Sequence, residues 1–246
     1  MEVNDKSSIQ LFEDRAKLHQ DANSVLDAGV DAKAKHSNVL HDYFSKKYIV
    51  ASAGIKQKDV VLDFGCGVGR ISNFLRPNAH QIVGYDASES MLAIARKSSP
   101  KTSVFVSDLD ALDAYQFDVV IVHWVLAHIS DEGIINAFSK IAKNLSPNGK
   151  ICIFEQTPAA DEHIFVNEVY RRRTITEYEN LFQQVGLKLV VDRNVYRTPS
   201  YARSIWNKMK SSSNWALPFL YLIEKNTLNF KKQHVEYYTT FMTFKK

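Results

Sequence analysis

The stretch VVLDFGCGVGR, Val60 to Arg70, places three glycines within five residues, between a run of strand formers and a helical pattern. Val60 to Phe64 is apolar and β-branched, as a buried strand is, and RISNFLR, Arg70 to Arg76, has helical spacing that stops near Pro77. A strand, a glycine turn and a helix in that order belong to sheets that bind ligands beyond the carboxyl ends of their strands. Gly65 and Gly67 allow positive φ and close backbone approach, and Gly69 lets the helix begin near the sheet. The spacing then discriminates between ligands. A dinucleotide fingerprint, G-x-G-x-x-G/A, counted from Gly65 and Gly67 demands a small residue at position 70, where Arg70 stands. Asp63 lies just ahead of the first glycine, so the motif reads D-x-G-x-G-x-G.

Outward from this turn, strand-like and helix-like segments alternate. QIVGYD (81–86), SVFVSD (103–108), FDVVIVHW (117–124) and KICIFE (150–155) read as strands. Between them, SESMLAIARK (88–97) opens on Ser88 as an N-cap, and DEGIINAFSKIAKNL places Ile134, Phe138, Ile141 and Leu145 at helical spacing. Buried strands separated by amphipathic helices predict an α/β fold whose parallel sheet is covered on both faces. After Glu155 a polar loop containing YRRRT leads into a helix with Tyr178, Leu181, Phe182 and Val185 inward, a stop at Gly186, and a sixth strand. Residues 197–235 read as an irregular, aromatic insertion on the acceptor side, and 236–246 as the final strand of a core that spans 56–196. Residues 1–55 read as a helical cap over the ligand crevice, with Val39, Leu40, Tyr43 and Phe44 as its apolar stripe.

Composition narrows the partners. The chain has 246 residues and a formal net charge of +4, with Lys and Arg scattered rather than massed, so no nucleic-acid footprint is visible. Its two cysteines, Cys66 and Cys152, form neither a disulfide framework nor a metal-ligand pair, which favours a reducing, cytoplasmic setting and no metal. The N-terminus lacks the apolar stretch of a signal peptide, and the run WALPFLYLI (215–223) is too short to span a bilayer, although it leaves room for peripheral membrane contact.

Asp86 ends the second strand 21 residues after Gly65, and Asp108 ends the third. Three carboxylates at successive strand ends, together with the glycine spacing, resemble the class I S-adenosylmethionine-dependent methyltransferase family over about residues 58–195. The resemblance implies a seven-stranded Rossmann-like sheet with YYTTFMTFKK as its antiparallel strand. It also implies that Asp63 with Gly65, Gly67 and Gly69 holds the methionine part of S-adenosylmethionine, Asp86 the ribose, and Asp108 with the Leu109 amide the adenine. His123 is expected to line the cofactor through its backbone.

Methyl transfer to a hydroxyl requires positioning and removal of a proton, so a base near the methyl is the residue to seek. His128, in VHWVLAHISD after the fourth strand, is the candidate, with Glu155 as its orienter or as the base itself; a helix-start histidine bonded to a loop carbonyl and a solvated strand-end carboxylate are the plain readings. Trp124, Val125 and His128 are similar to the W-V-x-x-H segment of protein N-terminal methyltransferases. EQTP after the fifth strand and the final FMTFKK are similar to bacterial methyltransferases of glycan and small-molecule synthesis. The expected activity is O-methylation of a sugar, glycan or related small molecule, with N-methylation of a protein N-terminus or amine as one alternative and a cofactor-binding scaffold without turnover as the other. Arg171 to Arg173 would suit an anionic acceptor, and Tyr201, Trp206 and Trp215 a ring, although such runs are more often solvated and such aromatics more often core. His36, His41 and His163 carry no spacing signal.

Overall fold

In the computed structural model of the protein, β1 (Val60–Phe64) is the centre from which the sheet grows in both directions. On one side lie β2 (Gln81–Tyr85) and β3 (Val104–Val106), on the other β4 (Phe117–His123) and β5 (Leu145–Pro158), all parallel. Beyond β5 the chain adds β8 (Lys188–Thr198) only through β9 (Tyr237–Lys245), which runs antiparallel to both. The order is β3-β2-β1-β4-β5-β9-β8, seven strands with YYTTFMTFK as the antiparallel one. The structure describes residues 2–19, 21, 25, 32–101, 103–160, 162–209, 213–228 and 235–246, with the backbone alone over 32–35.

Alternate strand residues face opposite sides, so the sheet feeds two cores. Leu62, Val83, Val120, Val122 and Ile153 pack with Ile134, Phe138 and Ile141 of α5 (Asp131–Lys143) and Tyr178 and Phe182 of α6 (Ile175–Gln184). Val61, Ile82, Val119, Ile121 and Cys152 pack on the other face. Helix starts follow local chemistry: Ser88 caps α4 (Glu89–Ser98) by accepting from Met91 N at 3.2 Å, and Thr174 with Glu177 closes a reciprocal capping box on α6.

Four expectations change here. The segment assigned to a cap divides: α1 (Asp5–Leu18) lies over the crevice, whereas Leu40, Phe44, Tyr48 and Ile49 of α2 (Ala32–Ala53) are buried in the second core. Val39, expected in the apolar stripe, is exposed, because it falls on the opposite side of that helix. The polar loop after β5 is instead a hairpin of β6 (Ile164–Asn167) and β7 (Tyr170–Arg172), whose strands, among the described residues, pair only with each other. The region read as irregular holds α7 (Tyr201–Trp206) and α8 (Leu217–Thr227). Trp206 of α7 is fully buried, stacked on His36 at 4.2 Å and donating its indole N–H to the His36 carbonyl at 2.6 Å, so it serves the core.

Candidate active site

The strand order reverses between β1 and β4, and at their carboxyl ends opens a cavity of about 670 Å³. Asp63, Gly65, Gly67, Asp86, Leu109, His123, His128 and Glu155 all line it. Asp108 does not. It is exposed, and its side chain caps the turn at Leu109 by accepting from Asp110 N at 2.8 Å. Gly69, with φ +77°, lies at the start of α3 (Arg70–Leu75), behind the lining.

The glycine turn is built to stay narrow. Gly65 has φ +73°, and a Cβ there would overlap both γ-methyls of Val125. Asp86 braces the turn from β2: its carboxylate accepts from Gly67 N at 2.8 Å and from Ser88 N at 2.9 Å. Asp63 is buried and accepts from the Ser72 hydroxyl at 2.6 Å. Burial pushes both Asp63 and Asp86 up to about 6. A ligand that offers hydrogen-bond donors or positive charge relieves that desolvation, and S-adenosylmethionine, with its ammonium, sulfonium and ribose hydroxyls, offers both. Arg70, the residue incompatible with a dinucleotide fingerprint, links α2 to the site by pairing with Asp42 at 2.7 Å and reaching His123 Nδ1 at 3.4 Å. His123 thus takes part through its ring as well, and burial first, then Arg70, holds it well below the ordinary histidine range.

The turn after β4 is strained. Trp124 has φ +57°, a conformation uncommon for non-glycine residues and found where surroundings impose it. Glu155, at the far end of β5, imposes it: Oε1 accepts from Val125 N at 2.5 Å and Leu126 N at 2.6 Å. The solvated strand-end carboxylate of the plain reading is therefore a buried brace at 1% exposure, and burial pushes it up to about 7. Nor does Glu155 orient His128. The His128 ring is held by the Val169 carbonyl at the hairpin tip, 2.7 Å from Nδ1. A carbonyl only accepts, so Nδ1 carries the proton and Nε2 keeps its lone pair. Burial lowers His128 to about 4, so the ring is neutral at pH 7.

The hairpin and α1 form a roof, of which the helix was expected and the hairpin was not. Asn4 N donates to the Glu168 carbonyl at 2.7 Å, joining the two. The Asp5 carboxylate accepts from Ser130 N and Oγ, each at 2.7 Å, at the start of α5, and Glu13 accepts from the Ser88 hydroxyl at 2.7 Å at the start of α4. Helix α1 thus bridges the crevice, and Phe12 meets the His128 ring edge-on at 5.1 Å. Tyr170 and Arg172 of the hairpin and Tyr237 of β9 complete the lining, together with His41. Tyr201, Trp206 and Trp215, considered as ring platforms, are not in it. The hairpin and the fastenings of the roof carried no sequence signal, because the roof's contacts join residues up to 164 positions apart, as Asn4 and Glu168 are. Among the described residues no group of three or more His, Cys, Asp or Glu is placed to hold a metal ion, and no helix is long and apolar enough to cross a membrane.

Residues 61–149 match a family described as a methyltransferase domain. An uncharacterized methyltransferase of Schizosaccharomyces pombe is 31% identical over 115 residues, covering 41% of this chain and 40% of that protein. Alpha N-terminal protein methyltransferase 1 of Arabidopsis thaliana is 28% identical over 174 residues, covering 65% of this chain and 62% of its own. The chain thus spans less than two thirds of the length of these relatives. A solved S-adenosylmethionine-dependent methyltransferase from Leishmania major superposes with a TM-score of 0.64 at 16% identity, over 98% of this chain and 82% of that one, a likeness of fold. Motif, sheet order and domain match converge: residues 61–149 carry a methyltransferase domain, set in a seven-stranded sheet that shares the fold of S-adenosylmethionine-dependent methyltransferases.

Proposed function

We propose that the protein transfers the methyl group of S-adenosylmethionine to a hydroxyl of a small molecule. The observation that carries the reading is His128, fixed by the Val169 carbonyl with an unprotonated Nε2 in a cavity shared with the glycine turn. S-adenosylmethionine, when bound, supplies a methyl group activated by its sulfonium. Asp63 and the turn at Gly65 to Gly69 are assigned to its methionine part, Asp86 to the ribose, and Leu109 to the adenine. Asp108, engaged as a cap, would reach the adenine only from outside the cavity. His128 accepts the hydroxyl proton at Nε2 as the new C–O bond forms. Glu155 positions the turn that bears His128, and α1 with the hairpin excludes water.

The low basicity of His128 restricts the acceptor. A base near 4 gains little driving force against an unactivated alcohol, so an acidic hydroxyl such as a phenol, near 10, suits it better than a sugar. A glycan acceptor also lacks the platform expected from Tyr201, Trp206 and Trp215, since none lines the cavity. A second reading, methylation of an amine, is favoured by the same low basicity and by the similarity to the Arabidopsis N-terminal protein methyltransferase, because a neutral amine needs no strong base. Two buried, unpaired cysteines support the reducing, cytoplasmic setting.

Labelled S-adenosylmethionine offered with phenols, sugars and amines tests the reading. His128→Ala should keep cofactor affinity and lose about 10² to 10⁴ in turnover on a hydroxyl acceptor. With His128 already neutral, the wild-type rate should be flat between pH 6 and 8 on its account and fall only as pH approaches 4. Full activity in His128→Ala would transfer the reading to the amine, and cofactor binding without any product would leave a scaffold.

A further inference from the structure

The three consecutive arginines that end the hairpin have three different surroundings. Arg171 pairs with Asp131 at 3.2 Å and with Glu177. Arg173 is fully buried; its Nε donates to Asp131, and its two terminal nitrogens to the Leu126 and Ile129 carbonyls, all at 2.7 Å. Both serve structure, fastening the hairpin to α5 and to the turn after β4. Strand alternation turns Arg172 the other way, into the cavity lining. Among the described residues no carboxylate lies within ion-pair distance of it.

The Arg172 guanidinium is nevertheless held in place. Its Nε donates to Gln156 Oε1 at 3.1 Å, and that oxygen also accepts from the Tyr170 hydroxyl at 2.7 Å. Its central carbon lies 4.2 Å from the Tyr237 ring centroid and 5.2 Å from that of Tyr170. A half-buried cation, oriented by an amide and two rings but without a counter-ion, carries a desolvation cost that an incoming anion removes. With Nε on Gln156 and the side chain also hydrogen-bonded to Tyr170, the N–H groups of the terminal nitrogens that these leave over form a fork for a group with two oxygens. The His128 ring lies 5.0 Å from the same Tyr170 ring, which places both residues within the reach of one small molecule. Arg15 of α1 adds a second positive side chain to the lining.

We infer that Arg172 binds an oxyanion carried by the methyl acceptor, a carboxylate or a phosphate, which makes the substrate a small acid. This rests on the methyltransferase reading above and names the substrate class within it. The acceptor lies across Tyr170, with its oxyanion on Arg172 and its methylated atom toward His128. Arg172 is then the residue that selects the acceptor, and the neighbouring arginines, equally basic in sequence, contribute nothing to that choice.

The test titrates wild type and Arg172→Gln, each saturated with S-adenosylhomocysteine, in a calorimeter. The probes are aliphatic and aromatic hydroxy acids, each against its own amide, and phosphate monoesters, each against the parent alcohol. At least one acid or phosphate monoester should bind wild type about ten- to a hundredfold tighter than its neutral partner, the worth of a charge-assisted contact. In Arg172→Gln that preference should vanish while S-adenosylhomocysteine affinity stays unchanged, and Arg172→Lys should retain part of it. The set that shows the preference distinguishes carboxylate from phosphate. A wild type that binds no charged probe better than its neutral partner, or a preference that survives in Arg172→Gln, overturns the inference. Failure of wild type to bind S-adenosylhomocysteine strikes the methyltransferase reading itself, and so is distinguishable.

Discussion

Glu155 gives the sharpest quantitative expectation, because its burial and its two hydrogen bonds act in opposite directions. Burial raises it from 4.5 to about 7, so the folded protein holds its proton more tightly than the unfolded chain does. Between those values the native state binds more protons, and stability must fall as pH rises. The contribution is fully present below 4.5 and is lost as pH climbs through 7. From pH 5.5 to pH 8 the loss is about 2 kcal/mol, at 1.36 kcal/mol for each unit over which only the unfolded chain is ionised. Glutamine keeps an oxygen for the Val125 and Leu126 amides and carries no charge. Measured against wild type, Glu155→Gln should therefore be more favourable at pH 8 than at pH 5.5 by about 2 kcal/mol, and titrations common to both proteins, that of His128 included, cancel. Alanine removes the acceptor, leaves two buried amides unpaired and should cost about 2–6 kcal/mol. Urea unfolding of the three proteins at both pH values is the assay. Equal Glu155→Gln effects at the two pH values would refute the buried-carboxylate argument, and an alanine variant within 1 kcal/mol of wild type would refute the brace.

Asp86→Ala should weaken S-adenosylmethionine binding by about 1.5–3 kcal/mol in a protein that still folds, because the ribose hydroxyls and the Gly67 amide lose one acceptor together; calorimetric titration measures it. Gly65→Ala should destabilise by about 2–5 kcal/mol, combining the φ of +73° with overlap against Val125, and denaturant unfolding at the wild-type value would show that the turn relaxes.

The glycine turn was legible because its chemistry is local. Positive φ, close backbone approach and an acid at the next strand end are properties of neighbouring residues, and strand–helix alternation with buried runs leads to the parallel sheet. The sequence by itself therefore determined the parallel strands and the crevice at the end of β1, and its resemblance to methyltransferases implied the seven-stranded sheet and the crevice shared by His128 and Glu155. It could not assign their partners. His128 is held by a carbonyl 41 residues away and Glu155 by amides 30 and 29 residues away, so what read as a base and its orienter became two separate devices only when β5 and the hairpin were docked.

Charge tells the same story more strongly. Arg171, Arg172 and Arg173 are indistinguishable as a run, yet Asp131 and Glu177 neutralise two of them and leave the third to the cavity. Asp108 shows the converse: a strand-end acid in the expected place, turned by a local cap away from the lining. Sequence fixes which groups ionise and which backbone turns are allowed; burial and counter-ions, which set basicity and availability, depend on contacts between distant segments and were decided by the tertiary structure alone.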